Sequence, residues 1–450
     1  MRQLLTVFIV ACLLSSATAQ TLHLTGTPRP IRLPALDSIA SHYEIIKLAA
    51  PVKSGNYSQV QLPGNEQPVP MLPRTGLVEG AQILPQGQAT SQGFKTWQQP
   101  QGQPNPFNLA INDGFVLGEF TRNGKMYLIE QVGNFIPGYA PDVVMIYAAE
   151  TAIRKNVHCG VPDSLLQAHQ YNHVQKQTGA PQPQSTCRTI DYAMVADHSM
   201  FLKYGTVQAT VNYMMGIMNL VQGNYDSEFA NEYRYKINQV LVFTNAAVNP
   251  WPSTNDINLN LTNFASWANA NLNSDFDICS YWFNTPNFSS GTVGLAWLSY
   301  ICNRQGSNAI REYGTSANNM RVLVAHEIGH NLSAGHDASG SGFIMAPQVN
   351  NTTTWSPASL TAINNFFASA SANCVTACNV QPCHNSFAAS YQAVYDTATN
   401  RVQFNWTDAA NLPTRIRWRN LAGTALDSVV LTNHGGSYTL QLPCGGMRYR

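Results

Sequence analysis

Apolar and polar positions divide the chain into three textures. From residue 20 to about 110, short apolar runs are broken by stretches such as "QLPGNEQPVPMLPRTG" and "TWQQPQGQPNPFN", which suit turns and short strands better than helix. "FVLGEF" and "MYLIEQ" flank Asn123-Gly124, the dipeptide of a tight turn, so Gly114–Gln131 is predicted as a β-hairpin. Pro162–Thr186, with "TGAPQPQST", reads as loop, and a boundary falls there. From Arg188 strand-like and helix-like runs alternate. "TIDYAMVAD", "YKINQVLVFT", "DICSYWFN" and "GLAWLSYIC" are strand candidates, and Tyr204–Val221 carries a helical period. "LTNFASWANAN" reads as a helix with Thr262 at its N-cap, and "NNMRVLVAHEIGHN" as another. That alternation predicts an α/β domain. After Cys383 the pattern turns all-β, in "YQAVYDTATNRVQFNWTD", "TRIRWRN" and "SYTLQL". This last segment is shorter than the ~100 residues of a seven-stranded sandwich, so it is expected to be incomplete.

The 450 residues exceed one ordinary core, which agrees with several folded units. Charged residues make up only 11% and the net charge is +1, so nothing electrostatic favours a nucleic-acid partner. The N-terminus has Met1-Arg2, an apolar run Leu4–Leu14, and Ala17 and Ala19 spaced as a cleavage site. It reads as a secretory signal, residues 1–19, cut after Ala19, which implies an extracellular protein. "IVAC" ending at Cys12 also fits a lipoprotein signal, but the apolar run continues past it. No other segment approaches ~20 apolar residues, so no membrane span is expected. Eight cysteines follow the signal: Cys159, Cys187, Cys279, Cys302, Cys374, Cys378, Cys383 and Cys444. In an exported chain most should form disulfides.

The densest chemistry is "HEIGHNLSAGHD", residues 326–337. His326 and His330 are four apart and share one face of a helix. Two imidazoles so placed can hold zinc at ~2.0–2.1 Å, with Glu327 beside them as a general base. His336 in a continued helix would lie ~9 Å beyond His330 and miss the ion, so the chain must turn sharply after Leu332. Gly335 lies in that expected turn. An amphipathic helix can carry the bare five-residue pattern by chance. The third histidine, Asp337 and the Met345 of "FIM" together make chance a poor account.

The extended pattern resembles the metzincin peptidases, in particular the adamalysin (reprolysin, ADAM-like) branch, to which Asp337 and "HEIGHNL" point. "RTIDYAMVADHSMFLKYG" and "GTVGLAWLSYIC" resemble that family's first strand with its helix and the segment walling its cleft. One departure is Ser333, where the family has glycine. Either the fold absorbs a left-handed serine or the turn shifts toward Gly335. The resemblance implies an α/β metzincin catalytic domain, a twisted mixed sheet with an active-site helix, over 187–378. A mostly β propeptide at 20–186 precedes it, and a fibronectin type III-like β-sandwich segment at 383–450 follows.

It further implies one catalytic Zn²⁺ on His326, His330 and His336, Glu327 as general base, and Met345 as the Met-turn beneath the metal. "NVHCGV" resembles a cysteine switch, with Cys159 as the zinc ligand of a latent precursor; replacing Cys159 by Ala is then expected to free the enzyme without a cut. An ordinary disulfide is the other reading of that cysteine. The activating cut is expected between Cys159 and Cys187, where no Arg-x-x-Arg occurs. By resemblance Cys302 pairs with Cys374; Cys187 is assigned to Cys279 without a spacing argument. Protein or peptide substrates are expected to lie extended along an edge strand near Ile278–Asn284, with Ala346–Trp355 shaping the pocket. A Ca²⁺ site maps onto Asp191 and Asp277 and the backbone near Cys374, although Ala377 stands where the family has asparagine. The expected molecule is a secreted monomeric zinc endopeptidase whose C-terminal segment binds a surface or polymer. The competing reading is an extracellular adhesion protein with a metzincin shell and no turnover. Glu327 discriminates, since a binding shell does not need a general base.

Overall fold

The computed structural model describes residues 20–99, 106–162, 187–230, 232–250, 256–272, 276–285, 291–302 and 306–378, and the strands of 391–449. The expected signal, most of the segment expected to carry the cut, Cys383 and Cys444 lie outside these residues.

Among the described residues of 20–162 the regular structure is β-strand, apart from three short 3-10 turns. An eight-stranded antiparallel sheet runs from Gly26–Arg29 through Glu44–Leu48, Val143–Ala148, Lys125–Gln131, Phe115–Arg122, Phe107–Asn112 and Lys95–Gln98 to Leu72–Pro73. Its central hairpin turns at Asn123 and Gly124, both at positive φ, as the Asn-Gly dipeptide favours.

The second sheet has the order His158–Cys159, Thr292–Ala296, Asn308–Arg311, Ile278–Phe283, Arg188–Ala196, Tyr233–Val242, Gln82–Leu84. All neighbours along this path are parallel except Thr292–Ala296 against Asn308–Arg311. Its central strands are buried on both faces, which accounts for unbroken apolar runs such as "AMVA". The "GLAWLSYIC" strand is shorter than its apolar run and stops at Ala296.

The helix Val207–Glu228 is capped by Thr206, whose Oγ1 accepts from Ala209 N at 3.1 Å. It lies between the two sheets, touching Tyr233–Val242 on one side and Phe107–Asn112 and Phe115–Arg122 on the other. Contact on both sides explains its methionine-rich, nearly all-round burial. The helix Ile257–Asn271 begins one turn before the sequence-based expectation. Asp256 is its cap, accepting from Asn258 N and Leu259 N, while Thr262 bonds back to the Asn258 carbonyl inside the helix. Residues 391–449 contribute two antiparallel three-stranded sheets, 391–396 with 401–407 and 435–441, and 425–431 with 414–420 and 447–449. Among the described residues no helix is long and apolar enough to cross a membrane.

The disulfides are Cys187–Cys378 and Cys302–Cys374. The first corrects the assignment of Cys187 to Cys279. Cys187 and Cys378 are 5.2 Å apart at Cα, where Thr376–Ala377 pairs with the start of Arg188–Ala196. Cys279 is a thiol in an interior strand, and burial pushes it well above the ordinary thiol range, so it is inert.

Candidate metal centre and active site

The helix Ala317–Asn331 carries the motif and is buried along its whole length. Ser316 caps its start, accepting from Asn319 N. At its end Ser333 N donates to His330 O (2.9 Å) and Ala334 N to Gly329 O (2.8 Å), the paired bonds of a Schellman ending with Ser333 at φ +80°. The turn therefore stays at Ser333 and does not shift to Gly335. A left-handed non-glycine residue costs on the order of 1–2 kcal/mol. The hydroxyl pair Ser299 Oγ–Ser333 Oγ at 2.8 Å and the Ser299 N–His330 O bond at 2.9 Å tie the strained residue to the adjoining loop.

This reversal brings His336 back beside the helix. The donor atoms of Cys159, His326, His330 and His336 all lie within 4.8 Å of one another. His326 Nδ1 faces Ile344 O and His330 Nδ1 faces Ala334 O, each at 2.8 Å. A carbonyl can only accept, so both rings carry their proton on Nδ1 and present a bare lone pair at Nε2. Among the described residues His326 Nε2 has no hydrogen-bond partner, and His330 Nε2 sits 3.2 Å from His336 Nε2. Buried lone pairs converging in this way call for a cation. The separations fit zinc: nitrogens ~2.0–2.1 Å from one tetrahedral ion lie about 3.4 Å apart, and a thiolate sulfur at ~2.3 Å lies about 3.6 Å from each. Cys159 Sγ is 3.5 Å from His330 Nε2. Burial first, and His336 second, lower His326 to about 3, and burial with both neighbouring rings holds His330 well below the usual range. Neutral imidazole is the form a metal binds.

Glu327 is fully buried next to this cluster. Its Oε2 accepts from Cys159 Sγ at 3.6 Å, and its Oε1 has no partner among the described residues. Burial pushes its carboxyl up to about 8, against the opposing Cys159 hydrogen bond. A residue the sequence reasoning missed makes room for it. A Cβ at Gly294, in the strand Thr292–Ala296, would lie 2.1 Å from Glu327 Oε1. The only sequence signal was a glycine within a strand run, which marks close approach. Met345 is fully buried, with its Sδ against Gly329 of the motif, and its carbonyl accepts from Asp337 N at 2.8 Å.

The edge of this cleft is not Ile278–Asn284. Ile278–Phe283 lies inside the sheet, between Asn308–Arg311 and Arg188–Ala196. The strand nearest Glu327 is Thr292–Ala296, and the Cys159 segment pairs with it. His158 N donates to Gly291 O (3.0 Å) and Gly160 N to Gly294 O (2.8 Å), while Cys159 N reaches Pro347 O (2.9 Å) on the opposite wall. Pro347 lies in the Ala346–Trp355 stretch expected to shape the pocket.

Asp277 lies just before the strand Ile278–Phe283 beside Asp191, and its Oδ2 accepts from Asp191 N at 2.8 Å. Lys236 Nζ already stands 3.7 Å from Asp191 Oδ1. Asp277 also groups with Cys302 and Cys374, but these two are joined to each other and offer no thiolate.

Residues 186–387 match the family model Reprolysin_5, metallo-peptidase family M12. This region is similar to metallopeptidases of that family. Among curated relatives the chain is similar to the snake venom metalloproteinase acutolysin-C of Deinagkistrodon acutus, 27% identical over 253 residues. The match covers 52% of this chain and 56% of that relative, so the chain spans little more than half of its length. Among solved structures, metalloproteinase-II from Bacteroides fragilis aligns at a TM-score of 0.44 and 10% identity, covering 78% of this chain and 98% of that one. The matched region holds the central strands of the mixed sheet, the buried motif helix and the three histidines, and leaves residues 20–162 and 391–449 outside the match.

Proposed function

We propose that the chain is a secreted zinc-dependent endopeptidase made as a latent precursor. The observation that carries this is the convergence of the donor atoms of His326, His330 and His336 beside the buried Glu327 carboxyl. His326, His330 and His336 hold the ion, and in the precursor Cys159 supplies the fourth donor. Zinc, when bound, supplies Lewis acidity toward a scissile carbonyl and acidifies water. Glu327 would accept the proton of an attacking water and pass it to the leaving amine. Its partnerless Oε1 lies against the Gly294 strand, on the side where a substrate would run. A protein or peptide substrate extends along Thr292–Ala296, adding a strand as the His158–Cys159 backbone does in the precursor. Asp337 and Met345 hold the loop after His336 through their backbone bond.

Residues 1–19 direct export, the chain acts as a monomer, and 383–450 act as a fibronectin type III-like attachment module. A structural calcium beside Asp191 and Asp277 would compete with Lys236 and is secondary. The test is direct. The freed catalytic domain is expected to carry one zinc per chain and to cleave casein, and chelation should abolish cleavage until zinc is restored. A zinc-loaded domain that cleaves no peptide library member would leave only the adhesion reading.

Latency does not rest on the thiol alone. Cys159→Ala removes one donor but leaves the 158–160 backbone bonded to both walls of the cleft. The expected outcome is therefore a precursor that stays below about a tenth of the freed domain's activity, each net backbone hydrogen bond being worth about 0.5–1.5 kcal/mol. This reverses the expectation that the substitution suffices; casein turnover by the uncut variant decides between them.

A further inference from the structure

We infer that residues 20–162 remain bound to the catalytic domain after the segment 163–186 is cut, as a separate inhibitory chain, so that one cut does not activate the enzyme. This rests on the latency reading of Cys159, but the hold itself lies elsewhere. The N-terminal unit contributes a strand to each edge of the catalytic sheet. Gln82–Leu84 pairs with Gln239–Leu241 at the far edge, where Ile237 N also donates to Leu77 O at 2.7 Å. His158–Cys159 pairs at the cleft edge.

Between those edges the two units share one apolar cluster, in which Phe115, Leu117 and Met145 meet the same core as Val211, Met215 and Met320. Ion pairs are buried across it. Arg321 Nη1 of the motif helix donates to Glu119 Oε2 at 2.7 Å, with both side chains almost inaccessible, and Arg74 pairs with Asp226. Glu130 Oε1 accepts from Ala317 N at 2.9 Å, so the N-terminal unit also caps the helix that carries His326 and His330. A shared apolar core with buried, paired charges is the anatomy of a permanent rather than a transient interface. None of these groups lies in 163–186, so a cut there leaves each of them in place. What remains is a partner seated on the cleft, and release requires its own digestion or extreme dilution.

The experiment places a site for a specific protease within 163–186 of the full chain, cuts to completion, and runs native size exclusion at micromolar concentration. The two pieces are expected to co-elute, with casein turnover rising at least about a hundredfold only once the N-terminal piece is digested. Separation of the pieces without denaturant would overturn the inference. The latency reading fails separately: it falls if the uncut chain is as active as the digested one, whether or not the pieces co-elute. Arg74→Ala with Glu119→Ala, both in the N-terminal piece, should raise the dissociation constant at least about a hundredfold. Unchanged co-elution of that variant on dilution to nanomolar would overturn the assignment of the hold to this interface.

Discussion

Glu327→Gln is expected to lower casein turnover by the freed domain about 10²–10⁴-fold while zinc stays at one per chain. The amide has the shape of the carboxylate, so it fits the space that Gly294 leaves and avoids a packing defect. It cannot accept a proton from water, and that acceptance is the step assigned to Glu327. The metal should stay because the ligands are anchored independently. His326 is held by Ile344 O and His330 by Ala334 O, and neither bond involves Glu327. Burial raises the Glu327 carboxyl to about 8, while a divalent cation beside it works in the opposite direction, favouring the charged base. Metal content by elemental analysis and kcat on one peptide are the two readouts. Wild-type kcat in the variant would remove Glu327 from the mechanism, and loss of zinc would make it a structural residue instead.

Much of the centre was legible because it depends on local spacing. The i, i+4 histidines needed only a helix, and the third needed only a reversal, which the ~9 Å axial argument demanded. The position of the reversal was harder. Glycine is the usual left-handed residue, yet the turn sits at Ser333, because the Schellman bonds count back from the helix end and pay no attention to composition. Sheet position was not legible at all. "ICSYWF" and "TVGLA" are both buried throughout, so neither pattern reveals which is interior and which borders the cleft. The Thr262 error has a similar cause. Polar residues in "INLN" hid the first turn, although Asp256 was in place to cap it. Contacts such as Gln82–Leu84 on Gln239–Leu241 join residues far apart in the chain and leave no trace in local periodicity.

Arg321→Met in the uncut chain is expected to cost about 3–5 kcal/mol of stability, because it strands a buried carboxylate. Arg321 lies five residues before His326 on the same helix and is 2% exposed at its side chain, with Glu119 at 6%. Its Nη1 bonds Glu119 Oε2, and its Nη2 bonds Asn318 Oδ1 on the same helix. Without the guanidinium, Glu119 keeps the Asn108 amide at 2.7 Å but loses its opposite charge. The size of the effect comes from leaving one partner charged and dry. Arg321→Met with Glu119→Leu should therefore recover most of the loss, since an apolar pair of similar bulk leaves no charge to bury. In the freed catalytic domain Glu119 is absent, and the single substitution should cost less than about 1 kcal/mol, the ordinary scale for a surface change. Denaturant melts of the uncut and freed forms, each with and without the substitution, give the four values needed. An equal loss in both forms would mean that Arg321 supports the motif helix by itself, and the buried pair would no longer explain how the N-terminal unit grips it.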